Sequence, residues 1–200
     1  MSKLRSSLKK LPTRVAALQK AYPEAQVEVW AYDEHRLGLQ PLSRKVWAKR
    51  GERPVQQVEI RYQWLYLYGF VCPQSGQTEW LIMPTVNITV FNLALADFAK
   101  NVGAGGAKQI LLVLDGAGWH RSGQVVIPEG LHFEFLPAYS PELQPAERLW
   151  PLTNEGIANQ HWTSLDALEA AQAERCVAVS EATTLVQHTT CYSWWPLVNC

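Results

Sequence analysis

Apolar and polar positions alternate along VEVWAYDE (27–34), where β-branched and aromatic residues predict a strand with its carboxylates at the C-terminal end. VEIRYQWLYLYGFVC (58–72) carries a longer strand signal, PQSG (73–76) is a turn, and TEWLIMP (78–84) is its antiparallel partner. The period then changes. Phe91, Leu95 and Phe98 fall at helical spacing over 88–101, and GAGG (103–106) ends that helix. QILLVLD (109–115) is a continuous apolar run, the mark of a central buried strand, and it ends on an aspartate. LHFEFLP (131–137) predicts a further strand. Residues 140–160 read as a loop entering a helix, and a last helix is expected over 164–180 with Thr163 as its cap and Asp166 in the capping-box position. Ahead of all this, Leu4, Leu8, Leu11, Val15 and Leu18 have helical spacing, which Pro12 is expected to break into a short arm. Residues 35–54 read mostly as loop, and HTTCYSWWPLVNC at the end shows no period. The order β, β-hairpin, α, β, β, α, α predicts an α/β fold, a mixed sheet flanked by helices.

Charge alters this picture more than composition does. The 200 residues balance 18 Lys and Arg against 18 Asp and Glu, which excludes a uniformly basic nucleic-acid coat. Residues 1–61 nevertheless carry a net +7 and residues 62–200 a net −7. Such a chain can meet a polyanion on one side and cations on the other. No apolar run reaches the roughly 18–20 residues of a membrane helix, and the basic start lacks a signal peptide's apolar core. The four cysteines form no CxxC or zinc-ligand spacing and read as reduced thiols.

Three carboxylates stand out by position. Asp33 is expected at the end of the first strand and Asp115 at the end of the buried one. Glu147 lies in SPELQPAERLW, where Pro145 suits a first helical turn and Gln144 its cap. Strand ends and helix starts can converge on one mouth. Carboxylates held together repel unless a cation neutralises them. Oxygen ligands select a hard cation such as Mg²⁺ or Mn²⁺, and two such ions about 3.5–4 Å apart can clamp the attacking and leaving oxygens of a phosphodiester.

Four segments then carry a family resemblance: YDEHRLGL (32–39), VWAKRGERP (46–54), LLVLDGAGWHRS (111–122) and LPAYSPELQPAERLWP (136–151). With them the chain resembles the catalytic domain of bacterial insertion-sequence transposases of the mariner-like superfamily, over about residues 25–180. The resemblance implies a ribonuclease-H-like fold and a metal triad of Asp33, Asp115 and Glu147, with Mg²⁺ or Mn²⁺, two ions, as cofactor. It implies metal-dependent cleavage at element ends and strand transfer into target DNA, with TA dinucleotides as the expected target. Three departures from the family pattern are Gly116 in place of Asn, Gln144 in place of Asn, and a shorter gap between Asp115 and Glu147. Gln144, a poorer cap than Asn, is expected to loosen the helix that aims Glu147.

Around the triad, Arg44, Lys45, Lys49, Arg50 and Arg53 cluster in the loop after the first strand, where basic residues suit phosphate contact. His120 can donate to a phosphate or position water, Arg148 can hold DNA or pair with a carboxylate, and Glu34 and Glu155 are reserve acids. Residues 1–25 read as a basic arm or linker remnant, 26–182 as the catalytic domain and 183–200 as a C-terminal tail. Family members carry helix-turn-helix modules ahead of the catalytic domain, so a separate or fused module of this kind is an expected partner, with DNA and a second copy of the chain. The setting expected is the bacterial cytoplasm, at the nucleoid. Two alternatives stay open: a metal-dependent nuclease without strand transfer, and an incompetent fragment that binds DNA or a full-length transposase.

Overall fold

The computed structural model describes residues 2–40, 42–55, 61–137 and 140–198. Among these residues, five strands form one mixed sheet. They are β1 Gln26–Gly38, β2 Trp64–Cys72, β3 Gln77–Met83, β4 Lys108–Leu114 and β5 Leu131–Phe135, in the order β3-β2-β1-β4-β5. β1 pairs antiparallel with β2 and parallel with β4, β2 pairs antiparallel with β3, and β4 pairs parallel with β5. The helices are α1 Ser2–Ala21, α2 Ile88–Val102, α3 Trp150–Asn154, α4 Leu165–Glu181 and α5 Thr183–Thr190. Two short 3-10 segments, Pro141–Leu143 and Pro145–Leu149, precede α3.

The alternation of β1 divides its side chains between two cores. Val27, Val29 and Ala31 face a core built with α1, Leu149, Trp150, α4 and α5. Trp30 and Tyr32 face the other, built around Phe91, Leu95 and Phe98 of α2. β4 lies between both, and Ile110, Leu111, Leu112, Val113 and Leu114 are fully buried, as its unbroken apolar run requires. α2 begins at Asn87, whose side chain accepts from the Val90 N–H at 2.9 Å, and ends at Gly103 in the left-handed region, φ 73°. No helix among the described residues is long and apolar enough to cross a membrane.

Several boundaries differ from the sequence reading. β1 runs on to Gly38, so Asp33 lies within the strand rather than at its end. Antiparallel pairing with Trp64–Tyr68 satisfies the backbone of residues 34–38, which overrides their polar composition. α1 continues through Pro12, because Leu11, Val15 and Leu18 bury one stripe against the sheet and offset the lost backbone bond. The cap of α4 is Ser164 rather than Thr163. Its side chain accepts from Ala167 N–H at 3.2 Å, and Asp166 stands one place short of the capping-box position. Residues 183–190 form α5, and Val186, Trp195 and Val198 join the core. The start of the 58–72 strand signal, residues 58–60, lies outside the described residues, as does Cys200. Cys72 and Cys176 are buried and Cys191 is half-buried, and burial pushes the Cys176 thiol up to about 12.

Candidate active site

The register of the parallel pair sets the geometry. Ala31 and Val113 are the last partners of β1 and β4. Asp33 and Asp115 each stand two residues beyond that pair, so two neighbouring strands deliver two carboxylates at one level of the sheet. The third comes from the 3-10 segment Pro145–Leu149, which is anchored to β1 by two hydrogen bonds. Gln144 Nε2 donates to the Tyr32 carbonyl at 2.9 Å, and Trp150 Nε1 donates to Asp33 Oδ2 at 3.1 Å. Asp33, Asp115 and Glu147 therefore line one cavity of about 390 Å³, with Gly116, Leu136, Ser140 and Gln144.

Gln144 makes no capping bond. It is 2% exposed and acts as a strut between the third segment and β1, so the weaker cap expected from Gln does not decide where Glu147 points. Trp150 is a residue the sequence reading passed over. It stacks on His35 with ring centroids 4.9 Å apart and 12° between planes, and His35 Nε2 is 3.0 Å from Asn154 Oδ1. Burial lowers the His35 pKa. A Cβ on Gly69, the β2 partner of Asp33, would stand 2.8 Å from Trp150 Cη2, so the glycine is what lets the indole lie against the sheet. The aromatic at position 150 is visible in the sequence, but the direction of its N–H is not.

The carboxylates differ in electrostatics. Burial, then the charges of Glu147 and Glu34, raise the Asp33 pKa well above the ordinary carboxylate value. Burial also raises that of Glu147, which is within hydrogen-bond reach of Asp33. The charge of Glu147 opposes ionisation of Asp33, so the two carboxyl groups do not ionise independently. Asp115 shifts the other way: a bond from His120 lowers its pKa, helped by the Ala117 N–H and the charge of Arg121.

The other residues singled out in the sequence divide clearly. His120 is buried with both ring nitrogens engaged, so it does not face a DNA phosphate as that reading allowed. Trp119 packs beside it, centroids 5.4 Å apart. Glu34 is on the opposite face of β1 from Asp33 and does not line the cavity. Glu155 pairs with Arg175 at 3.1 Å, away from it. Arg148 borders an adjoining hollow that shares Glu147, and its Nε donates to the Tyr192 hydroxyl at 2.9 Å. Arg44 is pinned through its N–H to Asn159 Oδ1 and through Nη2 to the Pro151 carbonyl. Lys45, Lys49, Arg50 and Arg53 are exposed on the same loop, with Trp47 fully exposed among them, and none lines the cavity. Arg121, not singled out, lies over Phe135 at 4.5 Å, and its Nη2 is 3.3 Å from where a Cβ on Gly116 would stand. The glycine of the second motif thus makes room for a guanidinium.

A family model, DDE superfamily endonuclease, matches residues 28–169. The chain belongs to this family. Over 104 residues, 52% of its length, the domain is 36% identical to 76% of an uncharacterised protein of Sinorhizobium fredii, y4pE/y4sA. Its fold is similar to that of the Mos1 mariner paired-end complex with Mn, with a TM-score of 0.62 at 16% identity over 94% of this chain. It is also similar to the Mos1 strand transfer complex, with a TM-score of 0.56 at 14% identity over 96% of this chain. The chain spans about three fifths of those Mos1 chains, 60% and 62%. The ribonuclease-H-like fold expected of this DDE endonuclease domain is therefore the one observed.

Donor chemistry decides whether such a domain fits a metal. The cavity wall offers hard carboxylate oxygens and excess negative charge, which suits Mg²⁺ or Mn²⁺. Among the described residues, no group of three or more His, Cys, Asp or Glu side chains is arranged so as to hold a metal ion.

Proposed function

We propose that this chain is the catalytic domain of a DNA transposase, cleaving DNA at the ends of an insertion sequence and joining those ends to target DNA. The observation that carries the reading is the meeting of Asp33, Asp115 and Glu147 on one cavity in a DDE endonuclease domain. These three residues would hold divalent metal, Mg²⁺ or Mn²⁺, as two ions. Bound there, the metal would supply a deprotonated attacking oxygen and stabilisation of the leaving oxygen. The chain's own residues fix the arrangement: Trp150 and Gln144 join the third motif to β1, and His120 fixes one oxygen of Asp115. Lys45, Lys49, Arg50 and Arg53 present charge to the DNA backbone, which gives affinity without reading sequence. Arg148 extends that contact beside Glu147.

The partners are element ends, a TA-containing target, a second copy of the chain and a helix-turn-helix module that reads the ends, in the bacterial cytoplasm. The deciding experiment is nicking of supercoiled plasmid by the purified chain with Mg²⁺ or Mn²⁺, beside Asp115→Ala and Glu147→Ala. Nicking that requires metal and is lost in both variants supports the reading. A folded wild-type chain that never nicks DNA, with or without its helix-turn-helix partner, removes it.

A further inference from the structure

The first and second motifs are joined by a second route, on the face of the sheet away from Asp33 and Glu147. The Tyr32 hydroxyl donates to Glu34 Oε1 at 2.7 Å. The same oxygen lies 3.1 Å from His120 Nε2, and His120 Nδ1 lies 2.7 Å from Asp115 Oδ1. The Ala117 N–H also donates to Asp115 Oδ1, at 3.1 Å. The His120 side chain is 1% exposed, whereas that of Asp115 is 52% exposed. Tyr32, Phe91 and Trp119 wall the imidazole, with centroids 5.8, 4.8 and 5.4 Å away. The walls hold the plane of the ring, and the two carboxylate contacts fix which nitrogen faces which carboxylate. Both bonds to Asp115 fall on Oδ1, which leaves Oδ2 for the cavity.

We infer that Glu34 and His120 form a buried clamp that positions Asp115, so that a side chain of the first motif sets the orientation of the second motif's carboxylate. The inference rests on reading Asp115 as a cavity carboxylate that meets metal. Glu34 is then no reserve ligand. It is a positioning residue acting through His120, in the way that groups behind a metal ligand fix its orientation and its affinity. Adjacent residues of one strand, Asp33 and Glu34, thus serve the site from opposite faces of the sheet.

The geometry of amide side chains gives a graded test. An Asn at 120 places its amide donor near the position of Nδ1 and keeps the bond to Asp115. A Gln places it near Nε2 and loses that bond. The clamp predicts that His120→Gln weakens Mn²⁺ binding to the full chain by about tenfold or more, the range for groups that orient metal ligands. His120→Asn weakens it less, and Glu34→Gln falls between wild type and His120→Gln. Binding is read by calorimetry on variants with a cooperative thermal transition. A second readout needs neither metal nor activity: a downfield imidazole N–H proton resonance, absent in His120→Gln and displaced in both Glu34→Gln and Asp115→Asn.

Equal Mn²⁺ affinity in wild type, His120→Gln and Glu34→Gln overturns the clamp, as does an imidazole resonance indifferent to Glu34 and Asp115. If the resonance responds to both carboxylates while wild type neither binds Mn²⁺ nor nicks DNA, the buried connection stands and the transposase reading fails. If wild type nicks DNA with metal but the resonance ignores both carboxylates, the transposase reading stands and the clamp falls.

Discussion

Asp33 and Asp115 are the same residue type at the same level of neighbouring parallel strands, yet their surroundings oppose one another. Asp33 is desolvated between Glu147 and Glu34 and receives one side-chain donor, Trp150 Nε1. Asp115 is half exposed and is met by His120, the Ala117 N–H and the charge of Arg121. The charges that act on Asp33 are therefore those of other carboxylates, while Asp115 is met by positive charge from His120 and Arg121. Register alone delivers two carboxylates; what packs behind each decides its charge state.

Removing either charge has the largest consequence. Asp33→Asn and Asp115→Asn are both expected to lower metal-dependent nicking at least about a thousandfold, roughly 4 kcal/mol of barrier. On the stability of the metal-free chain they are expected to act with opposite signs. Asp33→Asn relieves a desolvated like-charge contact and raises the thermal midpoint in chelator. Asp115→Asn removes the partner of a buried imidazole and lowers it. Equal shifts in melting temperature would show that the two sides are not electrostatically distinct.

Titration sharpens the contrast next. Burial disfavours the charged form of His120, but the bonds and charges of Asp115 and Glu34 outweigh it and raise its pKa from 6.5 to about 9. The folded state therefore binds the proton more tightly than the unfolded one. That contribution is complete below pH 6.5 and is lost as pH rises through 9, up to about 3 kcal/mol at 1.36 kcal/mol per unit. Asp33, whose folded pKa is also raised, makes the metal-free fold less stable as pH rises through its own transition. Unfolding by urea is expected to show both declines, the Asp33 one setting in as pH rises above its ordinary value of 3.8 and the His120 one above 6.5. His120→Gln removes the alkaline one, and Mn²⁺ removes the Asp33 one. A wild-type stability that is flat between pH 6.5 and 9 would contradict the pairing of His120.

Of intermediate size is the packing that seats Trp150 against Asp33. In Gly69→Ala the new methyl would meet the indole at 2.8 Å, and overpacking of this kind costs about 1–3 kcal/mol. Because the indole carries the N–H bound to Asp33, nicking is expected to fall with stability. Trp150→Phe keeps a ring in place while losing that N–H, and reports the hydrogen bond separately. Denaturant unfolding beside a nicking assay reads both, and Gly69→Ala indistinguishable from wild type would remove the seat from the account.

The strands, the buried run 110–114 and the three carboxylates could be read from residue order, because period and burial are written locally. What could not be read depends on partners distant in sequence. The continuation of β1 past Asp33 is decided by pairing with Trp64–Tyr68, and the survival of α1 through Pro12 by burial of Leu11, Val15 and Leu18. Gln144 looked like a cap because position 144 precedes Pro145, yet its amide bonds the Tyr32 carbonyl, 112 residues away. His120 looked available to DNA because it follows Asp115 by five residues in the second motif, whereas Glu34, 86 residues away, takes its second nitrogen.

The smallest expected effect separates charge that builds the site from charge that draws DNA to it. Lys49 is exposed on the loop after β1 and does not line the cavity, so its removal leaves the carboxylates undisturbed. An exposed cation on a phosphate acts by releasing counterions, and this enters the affinity rather than the chemical step. Lys49→Ala is therefore expected to weaken plasmid binding evenly across sequences and to reduce the slope of log affinity against log salt by about one. Nicking at saturating DNA stays at the wild-type rate. Arg44 offers the internal contrast: its guanidinium already donates to the Pro151 carbonyl, so Arg44→Ala is expected to change the salt slope less than Lys49→Ala. Filter binding from 50 to 200 mM salt distinguishes the two. A Lys49→Ala variant that loses nicking at saturating DNA would place the loop's charge inside the catalytic arrangement, and the division between site and steering charge would have to be redrawn.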